Sequence, residues 1–108
     1  TEADTVAQLA GLTDIELARI LNMSVRNLHR LKADDKLARD ASERLLLLTN
    51  LLQHGLDVFD EDAQTLAGWL RSPIRELNTQ SPLSLLDTTT GFGLVGGVLG
   101  RIEHGIVG

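Results

Sequence analysis

At 108 residues, 43% of them hydrophobic, the chain suits one compact unit or two very small ones sharing a core, and it is too apolar for wholesale disorder. It has no cysteine, which excludes a disulfide framework and a thiolate metal site, and no apolar run approaches the roughly 18 residues of a membrane span. The net charge of −5 argues against a uniformly basic nucleic-acid binder, yet residues 24–39 hold Arg26, Arg30, Lys32, Lys36 and Arg39 against only Asp34 and Asp35, a local net of +3 where phosphates could dock.

No charged-then-apolar leader opens the sequence, so a soluble cytoplasmic protein with no membrane partner is expected. Thr1 is not a natural first residue, and some N-terminal sequence is expected to be missing. Helical periodicity dominates and no stretch alternates cleanly enough for a strand, which predicts an all-α fold. Trp69, Phe59 and Phe92 are the whole aromatic complement, so the core must be built from Leu, Ile, Val and Ala.

A first short helix is predicted over Ala3–Leu9, stopped by Gly11. Thr13 with Glu16 three residues on makes a capping box for a second helix through Leu21, with Leu17, Ala18, Ile20 and Leu21 facing inward. Asn22 suits the left-handed turn after it, and Ser24 caps a third helix reaching about Lys32. From about Ala41 a longer helix puts Leu45, Leu48, Leu51, Leu52, Leu56 and Phe59 on one broad face, with Leu46 and Leu47 pointing elsewhere. Apolar on more than one side, it is expected to lie between subdomains or against another subunit.

The acidic run Asp57–Asp62 is expected to open the next helix, where carboxylates meet the positive end of the dipole; that helix runs to Trp69 and Leu70 and stops before Pro73. Ser81-Pro82 starts a short turn over Leu83–Leu86, and Asp87 to Thr90 supply further caps. The last helix, about Thr90 to His104, lies in a stretch holding seven of the ten glycines. Each interior glycine costs about 1 kcal/mol of helix propensity, so this helix depends on close packing.

Residues 16–31, Glu16-Leu17-Ala18-Arg19-Ile20-Leu21-Asn22-Met23-Ser24-Val25-Arg26-Asn27-Leu28-His29-Arg30-Leu31, carry the most specific signal of the first half. Ala18 sits where two crossing helices approach closely, and Leu21 and Leu28 fill the angle between them. The run resembles the helix-turn-helix of Xre-type (Cro/repressor-like) DNA binders, with asparagine at the turn where glycine is commonest. On the second helix Val25, Leu28 and Leu31 share the buried side, while Arg26, Asn27, Arg30 and Ala33 lie opposite, with His29 at the border. Arginine can donate two hydrogen bonds to guanine and asparagine can pair with adenine, so Ser24, Arg26, Asn27 and Arg30 are the candidate base readers. Lys32, Lys36 and Arg39 are the candidate phosphate contacts.

A second resemblance covers residues 57–108. Val58-Phe59 and acidic residues are followed by Ala67-x-Trp69-Leu70-Arg71-Ser72-Pro73, then Ser81-Pro82-Leu83-Ser84-Leu85-Leu86-Asp87-Thr88, then Leu99-Gly100-Arg101-Ile102-Glu103-His104-Gly105. This order is similar to the toxin-binding domain of the Xre/MbcA/ParS antitoxin family. The resemblance implies an antitoxin of a type II toxin-antitoxin system, with an Xre-like DNA-binding domain over residues 1–56 and a toxin-binding domain over 57–108. It implies a partner toxin of the RES class or a related ADP-ribosyltransferase-like toxin acting on NAD, blocked at its cleft by the C-terminal segment. It also implies operator DNA as a second partner and repression of the chain's own operon. The candidate toxin contacts are Leu94, Val98, Arg101, Ile102, Glu103, His104, Ile106, Val107 and Gly108. Trp69 and Leu83, Leu85 and Leu86 are read as core. A homodimer is expected, because single helix-turn-helix modules read paired half-sites. The alternative reading is a stand-alone repressor whose C-terminal half only dimerises.

Several patterns carry no function. Gly91-Phe92-Gly93-Leu94-Val95-Gly96 matches the dinucleotide fingerprint, but polar threonines rather than a strand precede it. Gly93-xxx-Gly97 and Gly96-xxx-Gly100 match the packing motif of membrane helices in a stretch too short to span one. His29, His54 and His104 lack metal-ligand spacing, and no nucleophile has a His/Asp constellation; neither a cofactor nor an enzyme is expected.

Overall fold

The computed structural model describes the backbone of residues 2–34 and 39–105 and the side chains of 4–34 and 41–105. These residues form helices α1 (Glu2–Ala10), α2 (Asp14–Ile20), α3 (Val25–Ala33), α4 (Arg39–Val58), α5 (Ala63–Leu70) and α6 (Thr89–Glu103), with 3-10 turns at Arg75–Leu77 and Pro82–Leu85. The fold is all-α; among the described residues the one element of β pairing is an isolated bridge between Ile74 and Gln80.

Local chemistry sets the helix ends. α1 stops at Gly11 (φ +64°), and the Leu12 N–H reaches back to the Ala7 carbonyl at 2.8 Å, the closure in which a left-handed residue lets the chain satisfy an orphan carbonyl. Asn22, at φ 60°, repeats that geometry, and Met23 N–H donates to the Ala18 carbonyl at 2.9 Å. The predicted capping box is present: Thr13 Oγ1 accepts from Glu16 N at 3.1 Å and Glu16 Oε1 accepts from Thr13 N at 2.9 Å. Ser24 caps α3, Asp62 caps α5, Ser81 caps the Pro82–Leu85 turn and Thr88 caps α6.

Two boundaries differ from expectation. α4 continues through Asp57 to Val58, so the acidic run does not open α5; Asp62 alone does so, its Oδ1 accepting from Gln64 N and Thr65 N. That cap lowers the Asp62 pKa, first through the hydrogen bond from the Thr65 hydroxyl. The expected division after residue 56 therefore falls inside a helix. The stretch between Pro73 and Ser81 folds round a 3-10 turn closed by the Ile74–Gln80 bridge.

Apolar residues of both halves join in one cluster: Val6 and Ala10 of α1 and Leu17, Ile20, Leu21 and Leu28 of the α2–α3 hairpin meet α4, α5 and α6. α4 is the central rod, packing against α1, α5 and α6. Its Leu45, Leu48, Leu51, Leu52 and Leu56 are buried, each contributing about 2 kcal/mol of hydrophobic free energy. Phe59 is half-buried, its ring 5.7 Å from that of Trp69. Leu46 and Leu47 remain 57% and 39% exposed, so the second apolar side of α4 is left uncovered by the described residues. No described helix is long and apolar enough to cross a membrane.

Candidate functional site

The α2–α3 hairpin presents a polar outer face because α3 spends its apolar residues inward: Leu28 is fully buried, and Val25 and Leu31 are half-buried. Arg26 and Arg30 stand exposed on the opposite side, one turn apart. Ser24 is exposed at the helix N-terminus, with its Oγ accepting the Asn27 N–H at 3.0 Å. Asn27 is half-buried and its Oδ1 accepts from Arg30 Nη2 at 2.6 Å. Three of the four candidate base readers, Ser24, Asn27 and Arg30, are thus one hydrogen-bonded group at the start of α3, with Arg26 beside them. Arg30 and Asn27 are coupled through this hydrogen bond rather than independent.

Lys32 is a correction. Its Nζ lies 2.8 Å from Asp4 Oδ1 and 3.1 Å from Asp14 Oδ1, and its side chain is only 16% exposed. The side chain turns back onto α1 and α2, where two carboxylates raise its pKa, Asp4 first, and leave the exposed face of α3 to Arg26 and Arg30. His29 Nε2 lies 2.8 Å from Asp14 Oδ2, and this hydrogen bond with that from Lys32 lowers the Asp14 pKa. The network ties the underside of α3 to the two helices before it. Lys36 lies outside the described residues. Arg39 is the first residue of α4, and its side chain also lies outside them.

The C-terminal candidates divide in the same way. Val98 is corrected to core: with Val95 and Leu99 it is 0% exposed where α6 packs on α4. Leu94 is 51% exposed, Arg101 shares its face seven residues on, and Ile102 is half-buried against the core. Glu103 and His104 close the helix, their side chains 43% and 70% exposed, with Glu103 Oε1 3.5 Å from His54 Nε2 and 3.7 Å from His104 Nε2. A Cβ at Gly93 or Gly100 would meet nothing within 4 Å, so this face of α6 is flat and open. Ile106, Val107 and Gly108 lie outside the described residues. Leu47, Leu51, His54 and Phe92 border an apolar cleft of about 450 Å³ between α4 and α6. No cluster of His and carboxylates among the described residues could hold a metal.

Three arginines that drew no role from the sequence span the two halves. Arg71, after α5, donates to both Glu16 carboxylate oxygens at 2.5 and 2.8 Å and to the Gly11 carbonyl at 2.6 Å. That contact, first, and the Thr13 N–H hold the Glu16 pKa down at about 2. Arg19 donates to the carbonyls of Leu83 and Ser84 at 2.9 and 3.3 Å, and Arg44 to those of Ile20 and Asp87 at 3.1 and 3.3 Å. Apart from the Glu16 carboxylate, their partners are backbone carbonyls tens of residues away, which no spacing rule finds.

Comparison with known proteins finds a family match in each half of the chain. Residues 2–50 match the antitoxin Xre-like helix-turn-helix domain, and residues 54–105 match the antitoxin Xre/MbcA/ParS C-terminal toxin-binding domain. Among curated relatives, an "Antitoxin Xre" of Photorhabdus laumondii is 36% identical over 85% of this chain and 63% of its own length. An "Antitoxin Xre" of Yersinia enterocolitica is 31% identical over 95% of this chain and 70% of its own. A "Prs ADP-ribosylating antitoxin" of a Sphingobium is 31% identical over 79% and 59%. The chain thus spans roughly 60–70% of the length of these relatives. One chain of the M. tuberculosis MbcT–MbcA toxin-antitoxin complex superposes with a TM-score of 0.76 at 20% identity, covering 99% of this chain and 95% of that one, and so shares its fold. The chain belongs to the Xre/MbcA/ParS family of antitoxins.

Proposed function

We propose that this chain is the antitoxin of a type II toxin-antitoxin pair, neutralising a toxin with its second half and repressing its own operon with its first. The observation that carries the reading is the joining, in one chain, of a helix-turn-helix match over residues 2–50 and a toxin-binding-domain match over 54–105. The division of labour places DNA binding in residues 1–56 and toxin binding in 57–108.

The partner we assign is a RES-type or related ADP-ribosyltransferase-like toxin. ADP-ribosyl transfer draws on NAD, and the Sphingobium relative's name supports that chemistry. The inhibitory surface runs along the open face of α6 through Leu94 and Arg101 to Ile102, Glu103 and His104, and on into Ile106-Val107-Gly108. A glycine-rich helix lets a partner's backbone approach closely, and the slim tail after Gly105 enters the cleft to exclude substrate. On operator DNA, Arg26 and Arg30 enter the major groove, with Ser24 and Asn27 fixing their approach and Lys36 and Arg39 meeting phosphates. Two copies read two half-sites about 34–36 Å apart.

Co-expression with the toxin encoded beside this chain tests the reading. The chain with residues 101–108 restores growth, and a form lacking them does not, although it keeps its helical circular dichroism. Equal rescue by both forms moves the inhibitory contact elsewhere on the domain. A purified chain that captures no neighbouring gene product removes the antitoxin assignment itself.

A further inference from the structure

The α2–α3 hairpin makes its close helix-on-helix contact internally, whereas it is α1 that packs against α4 and α5. Open clefts flank the hairpin on both sides. One, of about 290 Å³, lies between α2 and the Pro82–Leu85 turn and is bordered by Arg19 and Arg71. The other, of about 180 Å³, lies between the helix-turn-helix turn and α4 and is bordered by Arg44. Between these clefts Leu17, Ile20, Leu21 and Leu28 bury the hairpin in the common core, while at the two rims the contacts between hairpin and body are polar.

Each rim is crossed by arginines. Arg19 reaches from hairpin to body, onto the Leu83 and Ser84 carbonyls; Arg71 reaches the opposite way, onto Glu16 and the Gly11 carbonyl. Arg44, on the central helix, holds the carbonyl at the end of α2 and the carbonyl of Asp87, just before α6. The Ile20 carbonyl is among those a helix leaves without an internal partner, so Arg44 satisfies it while fixing its direction. Guanidinium groups bonded to carbonyls and a carboxylate in opposed directions resist rotation more strictly than an apolar contact, which slides.

We infer that Arg19, Arg44 and Arg71 are positioning residues that set the angle of the recognition helix on the body carrying α6. Their consequence for operator recognition rests on the DNA-binding reading above; their effect on the angle does not. Wherever two bodies are held together, the clasp converts their separation into a fixed separation of recognition helices. Half-site spacing then becomes a specificity determinant independent of base contacts.

The absence of cysteine makes a direct test available. Ile15, 71% exposed on α2, and Gly93, open on α6, are replaced by cysteine and spin-labelled, and the distance distribution is measured in the full chain. The parent gives one narrow distribution. R19M/R71M gives a distribution about twofold broader or a shifted one, with Trp69 fluorescence and helicity unchanged. Should the double variant fail to fold, R19M alone, whose side chain is exposed, carries the same expectation. An unaltered distribution in a folded variant overturns the inference. A second arm measures binding to promoter fragments with half-sites moved apart by a few base pairs: the parent discriminates about tenfold or more and the variant only a few-fold. Equal spacing discrimination in both also overturns it. If the parent binds no promoter fragment, the DNA-binding reading falls, and the distance measurement alone decides the clasp.

Discussion

Replacing Gly91 by alanine puts a methyl carbon 1.6 Å from the Leu85 carbonyl oxygen, 2.6 Å from its carbonyl carbon and 3.2 Å from its Cβ. Two of those atoms are backbone, so no side-chain rotation relieves the overlap; the first turn of α6 must move off the Pro82–Leu85 turn, and the Gly91 N–H bond to Thr88 Oγ1, 2.9 Å, moves with it. Overpacking of this kind costs about 1–3 kcal/mol or somewhat more, while alanine returns at most about 1 kcal/mol of helix propensity, so Gly91→Ala destabilises by about 2 kcal/mol. Gly100→Ala is the matched control: its Cβ meets nothing within 4 Å, and the same change stabilises by about 0.4–1 kcal/mol. The two variants therefore differ by roughly 2–3 kcal/mol, or some 10 °C or more in melting temperature at this chain length. Urea titration followed by circular dichroism reads the difference, at constant m-value. A Gly91→Ala protein as stable as Gly100→Ala refutes the close approach of α6 to the turn before it, and with it the reading of that glycine as a packing residue.

The same Gly100→Ala variant, though more stable, binds the partner toxin more weakly if the open face of α6 is the contact; calorimetric titration with toxin measures this. Arg26→Ala with Arg30→Ala abolishes sequence-specific operator binding without changing the melting temperature, read by gel shift on the cognate promoter. Lys32→Met, by contrast, leaves the salt dependence of DNA binding unaltered, because its ammonium is already engaged by Asp4 and Asp14, whereas losing one phosphate contact lowers that slope by about one unit. Glu16 has its pKa lowered from 4.5 to about 2, so the stability it contributes is complete above pH 4.5 and is lost as pH falls from 4.5 towards 2. Arg71→Met flattens the dependence of the urea midpoint on pH within that window, and an unchanged slope there refutes the pairing.

The elements most legible in the sequence were those whose cause is local. Thr13 with Glu16, Asn22 at the turn, Ser24 before α3 and Ser81-Pro82 each satisfy nearby backbone groups, so a few residues of context suffice to place them. The α4 leucine stripe was equally readable, because helical periodicity alone puts Leu45, Leu48, Leu51, Leu52 and Leu56 together. Asp57 misled because a carboxylate favours a helix start only when the preceding helix has ended, and the packing of Leu56 and Val58 carries α4 past it.

The candidate site was legible in kind but not in membership. Composition and spacing put cations on one stretch and apolar residues on one helix, since both are properties of the chain order. Which of those side chains face outward is settled by neighbours remote in sequence: α4 buries Val98, and Asp4 and Asp14 draw Lys32 away from the outer face. The sequence by itself thus determined most of the helices, the locally caused caps and the family. The tertiary fold alone decided how the two halves meet, because Arg19 and Arg44 bond to backbone carbonyls, as Arg71 does beside its pairing with Glu16, and every residue has a carbonyl. Such an acceptor has no signature in the sequence until folding brings it within about 3 Å of a donor.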